Sequence, residues 1–126
     1  MTTQKKPPTG FADEYLRTWT EPDQQRRAAL IDMIWASDGM LSVSSLGITL
    51  RGVAQITAHI TRVHDDMIAT KGLRFVYDQE VVSGDATLLR WSMLAPDGDV
   101  AGRGVDIVFH NTQGQVTAVH MFMGID

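Results

Sequence analysis

Cysteine is absent from the 126 residues. That excludes disulfides, thiol nucleophiles and Cys-based zinc sites, and it suits a reducing compartment. Long apolar runs are missing too: nothing approaches the ~20 residues of a membrane span. Nor is there an excess of positive charge. Eleven Lys and Arg stand against 15 Asp and Glu, for a net charge of −4, so the electrostatic footprint of a nucleic-acid binder is lacking. Residues 1–10 carry Lys5-Lys6 without an apolar segment after them, which does not make a signal peptide. Two prolines and polar neighbours suggest a flexible lead-in there. The expectation is one cytoplasmic domain over residues 11–126, with neither a membrane nor a nucleic-acid partner.

What the chain does have is an apolar fraction of 44%, enough for a proper core, and a C-terminal half written in strands. Three turn sequences, Ser83-Gly84-Asp85, Pro96-Asp97-Gly98 and Asn111-Thr112-Gln113-Gly114, supply the residues that chain reversals need. They divide the last fifty or so residues into four strands, expected over 73–82, 87–94, 105–110 and 116–123. These runs are long, roughly nine or ten residues for the longer ones against a usual five or six, and imply a broad, curved antiparallel meander. In the last strand Val116, Ala118 and Phe122 alternate with Val119, Met121 and Met123, so both faces are apolar. A sheet with one wet face alternates more sharply. The second face is therefore expected to be covered by another copy of the same sheet, giving a homodimer.

The first half reads as helices. Phe11, Tyr15 and Trp19 recur at i, i+4 and i+8, predicting a short helix over 11–18. Thr20-Glu21-Pro22-Asp23 reads as a stop and restart, with Thr20 or Glu21 capping and Pro22 in the first turn of the next helix. That helix is expected over 23–35, with Ala28, Leu30, Ile31, Ile34 and Trp35 as its stripe and Gln24, Gln25, Arg26 and Arg27 in water; Ser37-Asp38-Gly39 ends it. Residues 40–44 read as a short strand, followed by a loop through Gly47. A third helix is expected over 53–70. Its core positions Val53, Ile56, Ile60, Val63 and Met67 fall within roughly 80° at 100° per residue, and Gly72 stops it. Helices first and strands last is an α+β pattern. Three N-terminal helices packed on the concave face of a curved, mostly antiparallel sheet make a cone-shaped roll with an apolar interior.

One carboxylate stands out within the strands. Asp106 sits in the run Gly104-Val105-Asp106-Ile107-Val108-Phe109. Buried without partners it would have a raised pKa and could move protons near neutral pH. Facing solvent, or paired with Arg90 or Arg103, it would be an ordinary strand residue. Val108 shares its face. His120, one strand away, is a candidate acid–base partner if it faces the same way, and otherwise an interface or core histidine. Trp19, Trp91 and Met121 suit a ligand-binding wall, and equally a core. His59 and His64 are five residues apart, about 140° around a helix, and cannot share a metal as an i, i+4 pair does. Neither a metal nor a cofactor is expected. Ser42, Ser44 and Ser45 lack the Gly-x-Ser-x-Gly signature of a nucleophile.

The order of these elements, with Tyr15-Leu16-Arg17-Thr18-Trp19, Trp35-Ala36-Ser37-Asp38-Gly39, Arg51-Gly52-Val53-Ala54-Gln55-Ile56, Gly72-Leu73-Arg74-Phe75, Leu89-Arg90-Trp91, Gly104-Val105-Asp106 and Gly114-Gln115-Val116, resembles the SnoaL-like branch of the nuclear transport factor 2-like superfamily. The resemblance spans residues 11–123. It implies a cone with a pocket at its wide end, a dimer, and a small apolar ligand. It also implies a hydrogen-bond donor at Tyr15, the counterpart of a helix-one tyrosine that serves a developing oxyanion in the isomerases of the family. The proton-abstracting Asp of those isomerases has no counterpart: its region reads Ser42-Val43-Ser44-Ser45. The expected function is a proton-transfer enzyme (cyclase, isomerase or dehydratase) acting on an apolar cyclic or polyketide-like compound, with Asp106, Tyr15 and His120 as catalytic candidates. The alternative is a non-catalytic binding or dimerisation module.

Overall fold

A computed structural model describes residues 7–124, with side chains over 11–124. Helix α1 runs Pro7–Thr20, so it begins inside the segment expected to be a flexible lead-in; residues 1–6 of that segment lie outside the described residues. Its stripe is the predicted one: the Phe11 and Tyr15 rings stack at 5.7 Å, and Tyr15 and Trp19 are buried.

Helix α2 spans Gln24–Ile34. Its N-cap is Asp23, neither Thr20 nor Glu21: the Asp23 carboxylate accepts from the Arg26 N–H at 2.8 Å, satisfying one of the orphan donors of the first turn. Its buried side chains are Arg27, Ile31 and Ile34. Arg27 was expected in water; instead it is 2% exposed, and its Nη1 donates to the Glu21 carbonyl at 2.8 Å. A long side chain whose head reaches a helix-end carbonyl can lie along apolar neighbours.

The helix also ends earlier than Ser37-Asp38-Gly39. Trp35 is already extended, and strand β1 occupies Trp35–Val43. The reason is long-range. β1 pairs in parallel with the C-terminal strand, Trp35 opposite Val116 and Leu41 opposite Val119, with a bulge between Trp35 and Met40. The Trp35 indole folds over Gly39, where a Cβ would collide with it. Strand β2, Ile48–Arg51, pairs antiparallel with β1 in a stretch between the expected loop through Gly47 and the third helix where no strand was expected.

Helix α3 covers Gly52–Val63 and continues as a π-helix over His64–Thr70, where one regular helix was expected. Gly72, at φ 71°, ends it. The meander follows as β3 Arg74–Ser83, β4 Ala86–Leu94, β5 Val100–His110 and β6 Val116–Met123; β5 starts five residues before the expected position. The sheet order is β2-β1-β6-β5-β4-β3. Its helix-facing side carries Leu41, Leu89, Val108 and Val119, which join Tyr15, Ile31, Ile56 and Ile60 in one core. The fold is α+β, three helices packed on a curved six-stranded, mostly antiparallel sheet. No helix of the described residues is long and apolar enough to cross a membrane.

Candidate functional site

Register decides which side chains meet. Along β5, Asp106 lies opposite Leu89 of β4 and Met121 of β6, while Gly104 lies opposite Trp91 and Met123. Strand alternation puts all of these on one face, the one the helices cover. Trp91 is therefore the diagonal neighbour of Asp106, within reach of an aromatic side chain. Its indole crosses Gly104 to reach the carboxyl group. A Cβ at Gly104 would collide with the Trp91 ring and with the Phe122 carbonyl oxygen. The glycine of Gly104-Val105-Asp106 is thus the floor on which the tryptophan lies, and Trp91 Nε1–H donates to Asp106 Oδ1 at 3.0 Å.

Asp106 is 2% exposed. Its pKa is pushed up from 3.8 to about 7, because burial penalises the anion more than the Trp91 hydrogen bond favours it. Neither Arg90 nor Arg103 can compensate. Both alternate onto the opposite face, Arg90 opposite Val105 and Arg103 opposite Ser92; Arg90 turns to Gln79 at 3.4 Å. The Asp106 charge also reaches two phenols. Tyr15 and Tyr77 are both held well above the ordinary tyrosine value, by burial first and by Asp106 second.

Against Asp106 lies a cavity of about 180 Å³. Helix α1 gives it Leu16 and Trp19, α3 gives His59 and Val63, the π-helix gives Met67, and the β1–β2 connection gives Ser45 and Leu46. The sheet supplies Phe75, Tyr77, Trp91, Met93, Asp106, Met121 and Met123. The wall is hydrocarbon and sulfur apart from Asp106, Tyr77, His59, Ser45 and the indole nitrogens. Such a space suits a compact apolar molecule that meets a few polar atoms.

The structure brings four predicted residues to this cavity: Asp106, Trp19, Trp91 and Met121. Tyr15 and Val108 are fully buried in the core beside it and are not among the residues of its wall. The Tyr15 hydroxyl has no hydrogen-bond partner among the described residues. His120 is elsewhere. It pairs with Ile107, so it points to the outer face, edge-on to Phe109 at 6.1 Å. Residue parity along β6 keeps it away from Asp106, whose own partner is Met121.

Among the wall residues that the sequence reading did not name as site candidates, two carry ionisable groups. Tyr77 sits opposite Trp91, a place visible only once the β3–β4 register is known. His59 is 4% exposed and three residues from Ile56 on the core side of α3, a spacing that could have marked it. Its ring stands edge-on to Trp19 at 6.2 Å, and its pKa is lowered, by burial and then by Arg62. His64, equally buried, is tied instead: its Nδ1–H donates to the Trp19 carbonyl at 2.8 Å, joining the π-helix to the end of α1. Among the described residues no group of three His, Asp or Glu side chains could hold a metal ion.

Comparison with known proteins finds no matching family model and no matching curated protein, whereas solved structures match well. A proposed isomerase of the SnoaL-like family from Agrobacterium tumefaciens superposes at a TM-score of 0.83 with 28% identity, over 94% of this chain and 98% of that one. A SnoaL-like protein from Burkholderia thailandensis gives 0.73 at 15% identity over 95% and 98%. A protein with a ketosteroid isomerase-like fold from Catenulispora acidiphila, solved with trimethylamine, gives 0.69 at 17% over 88% and 82%.

Proposed function

We propose that this chain, which is similar over nearly its whole length to a SnoaL-like family protein and shares the nuclear transport factor 2-like fold, is a small-molecule enzyme of the proton-transfer type, acting on an apolar cyclic or polyketide-like compound held in the cavity. One observation carries this reading. A carboxyl group with a pKa of about 7 faces an apolar cavity, with a single hydrogen bond from the described residues to hold it. A group near half protonation at neutral pH can give a proton to a substrate oxygen or take one back, at the rate advantage expected of a matched acid–base catalyst. In this reading Asp106 is the proton carrier, Trp19, Trp91 and Met121 hold the ligand, and Tyr15 supports the carboxyl group from behind. Cyclisation, isomerisation and dehydration all use that step.

The test needs no substrate. The Trp91 indole N–H reports on Asp106 through their hydrogen bond. In proton NMR its resonance should titrate with a midpoint near pH 7 and become flat in Asp106→Asn, which keeps the acceptor and loses the titration. A midpoint near 4 in the wild type would remove Asp106 as a proton carrier. In turnover of a cyclic or polyketide-like substrate, the same variant should lose roughly two to four orders of magnitude. The Ser42-Val43-Ser44-Ser45 stretch, without a carboxylate, favours a second reading, a non-catalytic binding module; tight binding of such compounds without turnover would favour it.

The same reading has the protein work as a homodimer in the cytoplasm. The outer sheet face supports the first part: Leu88, Ile107 and Phe109 are only half-buried in one chain, and Phe122 is 40% exposed. The lack of cysteine supports the second.

A further inference from the structure

The cavity holds a second group whose chemistry complements Asp106. His59 enters from the helix layer, on α3, whereas Asp106 enters from the sheet. Its imidazole is 4% exposed and makes no hydrogen bond to any described residue. Its recorded partner is the Trp19 ring, edge-on. A buried histidine normally uses a ring nitrogen to satisfy a neighbour, as His64 does with the Trp19 carbonyl. His59 keeps its nitrogens for whatever fills the cavity.

We propose that His59 is the proton-accepting catalytic residue of this site and that its substrates are compact, uncharged carbonyl compounds with an acidic C–H beside the carbonyl. The inference rests on the proton-transfer reading of Asp106. The step balances without any co-reactant. An imidazole nitrogen takes the proton from the α-carbon. The C–H electron pair becomes the carbon–carbon π bond, the carbonyl π pair moves to oxygen, and the Asp106 carboxyl supplies that oxygen's proton. Where a second C=C is conjugated with the enol, His59 returns its proton to the far carbon of the dienol while the Asp106 carboxylate takes back the oxygen's proton, which restores both groups and gives the isomeric ketone.

Environment supports the division of roles. Burial lowers the His59 pKa and Arg62 lowers it further, so the ring is neutral and able to accept. Across the cavity stand Tyr77 and Asp106; α1 presents Leu16 and Trp19, the π-helix Met67, and β6 two methionines. At neutral pH none of these places a full negative charge in the cavity apart from the ionised share of Asp106. An uncharged ligand is the one such a wall accepts, because an ion would have to lose its water for hydrocarbon and thioether neighbours. The volume of about 180 Å³ limits the ligand to about one ring with short substituents; a dry cavity of similar size holds benzene.

The experiment is deuterium uptake at C6, the saturated carbon beside the carbonyl of 3-methylcyclohex-2-enone, in D2O, followed by NMR with the intact wild-type protein. Uptake above the protein-free rate is expected, with His59→Gln reducing it by roughly 10²- to 10⁴-fold. Binding of the ketone, read from Trp fluorescence, should change less than threefold. His59→Ala should regain uptake on addition of imidazole, which a merely structural histidine would not show. The wild-type rate should rise with pH across the His59 titration, below 6.5. His59→Gln that exchanges at the wild-type rate overturns the proposal, as does a wild type that never exceeds background. The Trp91 titration stands apart: a midpoint near 7 with no role for His59 leaves the proton-transfer reading intact while this inference fails.

Discussion

Both faces of the sheet carry apolar side chains, and they differ in what closes them. On the helix-facing side, the row Leu89–Asp106–Met121 contains a charge-capable group, and it is buried at 2% exposure. On the outer side, the neighbouring row Leu88–Ile107–His120 is half-buried, and its ionisable group sits at the open surface of a single chain. One-residue steps along β5 and β6 separate the two. The lesson is that apolar alternation marks a face as buried without saying by what. Helices of the same chain close one face; only a second copy is proposed to close the other. An ionisable group under the helices is forced toward its neutral form and becomes chemically useful, whereas one on the outer face keeps access to water.

Four substitutions would break or sharpen this contrast. The largest effect is expected from Val108→Asp. Val108 is fully buried on the same face as Asp106, but it has core around it where Asp106 has the cavity and the Trp91 donor. The variant should fail to fold, or lose several kcal/mol, as circular dichroism melting would reveal; a melt close to wild type would mean that this face tolerates carboxylates generally and that Asp106 is not special.

Next comes Asp106→Asn, read by its pH dependence. The folded pKa of about 7 stands above the ordinary 3.8, so the folded state binds the proton more tightly than the unfolded chain. The wild type's stability from this group is fully present below pH 4, erodes as pH rises, and is lost above 7. At about 1.4 kcal/mol per unit, the loss amounts to at most about 4 kcal/mol. The Asn variant should therefore be more stable than wild type at pH 8, by up to that amount, with the advantage vanishing near pH 4. Denaturant melts at both values check the sign, and an advantage that grew toward low pH would reverse it.

Gly104→Ala should cost roughly 1–3 kcal/mol, because the new methyl group displaces the Trp91 ring from its floor. It should also shift the Trp91 indole N–H resonance as the bond to Asp106 lengthens. An unchanged spectrum would show that the ring does not depend on the glycine.

Ile107→Asp is expected to change the stability of a single chain least, within about 1 kcal/mol, since the residue lies on the outer face. Its effect is on mass. Sedimentation should show the wild type near twice the 13.9 kDa of one chain and the variant as a monomer. A wild type already monomeric at micromolar concentration would leave the outer face without its second copy.

Most of the elements could be read locally. The Phe11-Tyr15-Trp19 stripe, the core positions of the third helix, Gly72 as its stop and the three turns of the meander all depend on contacts within a few residues, and they came out in place. The misreadings share a cause of another kind. Trp35 through Gly39 left the helix because β6, some eighty residues later, offers a pairing edge. Residues 48–51 became a strand because β1 was beside them. Arg27 went inward because the Glu21 carbonyl was within reach.

The candidate site divides along the same line. Composition and pattern by themselves determined that an aspartate would stand in an apolar strand and that no cysteine chemistry could occur; they left Trp19, Trp91 and Met121 open between a ligand wall and a core. Only the tertiary structure decided that Asp106 faces the helices and His120 does not, that the aspartate's partner is Trp91 rather than an arginine, that Tyr15 stands beside the cavity, and that His59 reaches into it. The physical reason is the period of a strand. A shift of one residue in register exchanges every inward and outward side chain, and register in this sheet is set by pairings and bulges between strands: within the β5–β6 hairpin at Phe109 and His110 and, across some eighty residues, between β1 and β6 at Trp35 and Met40.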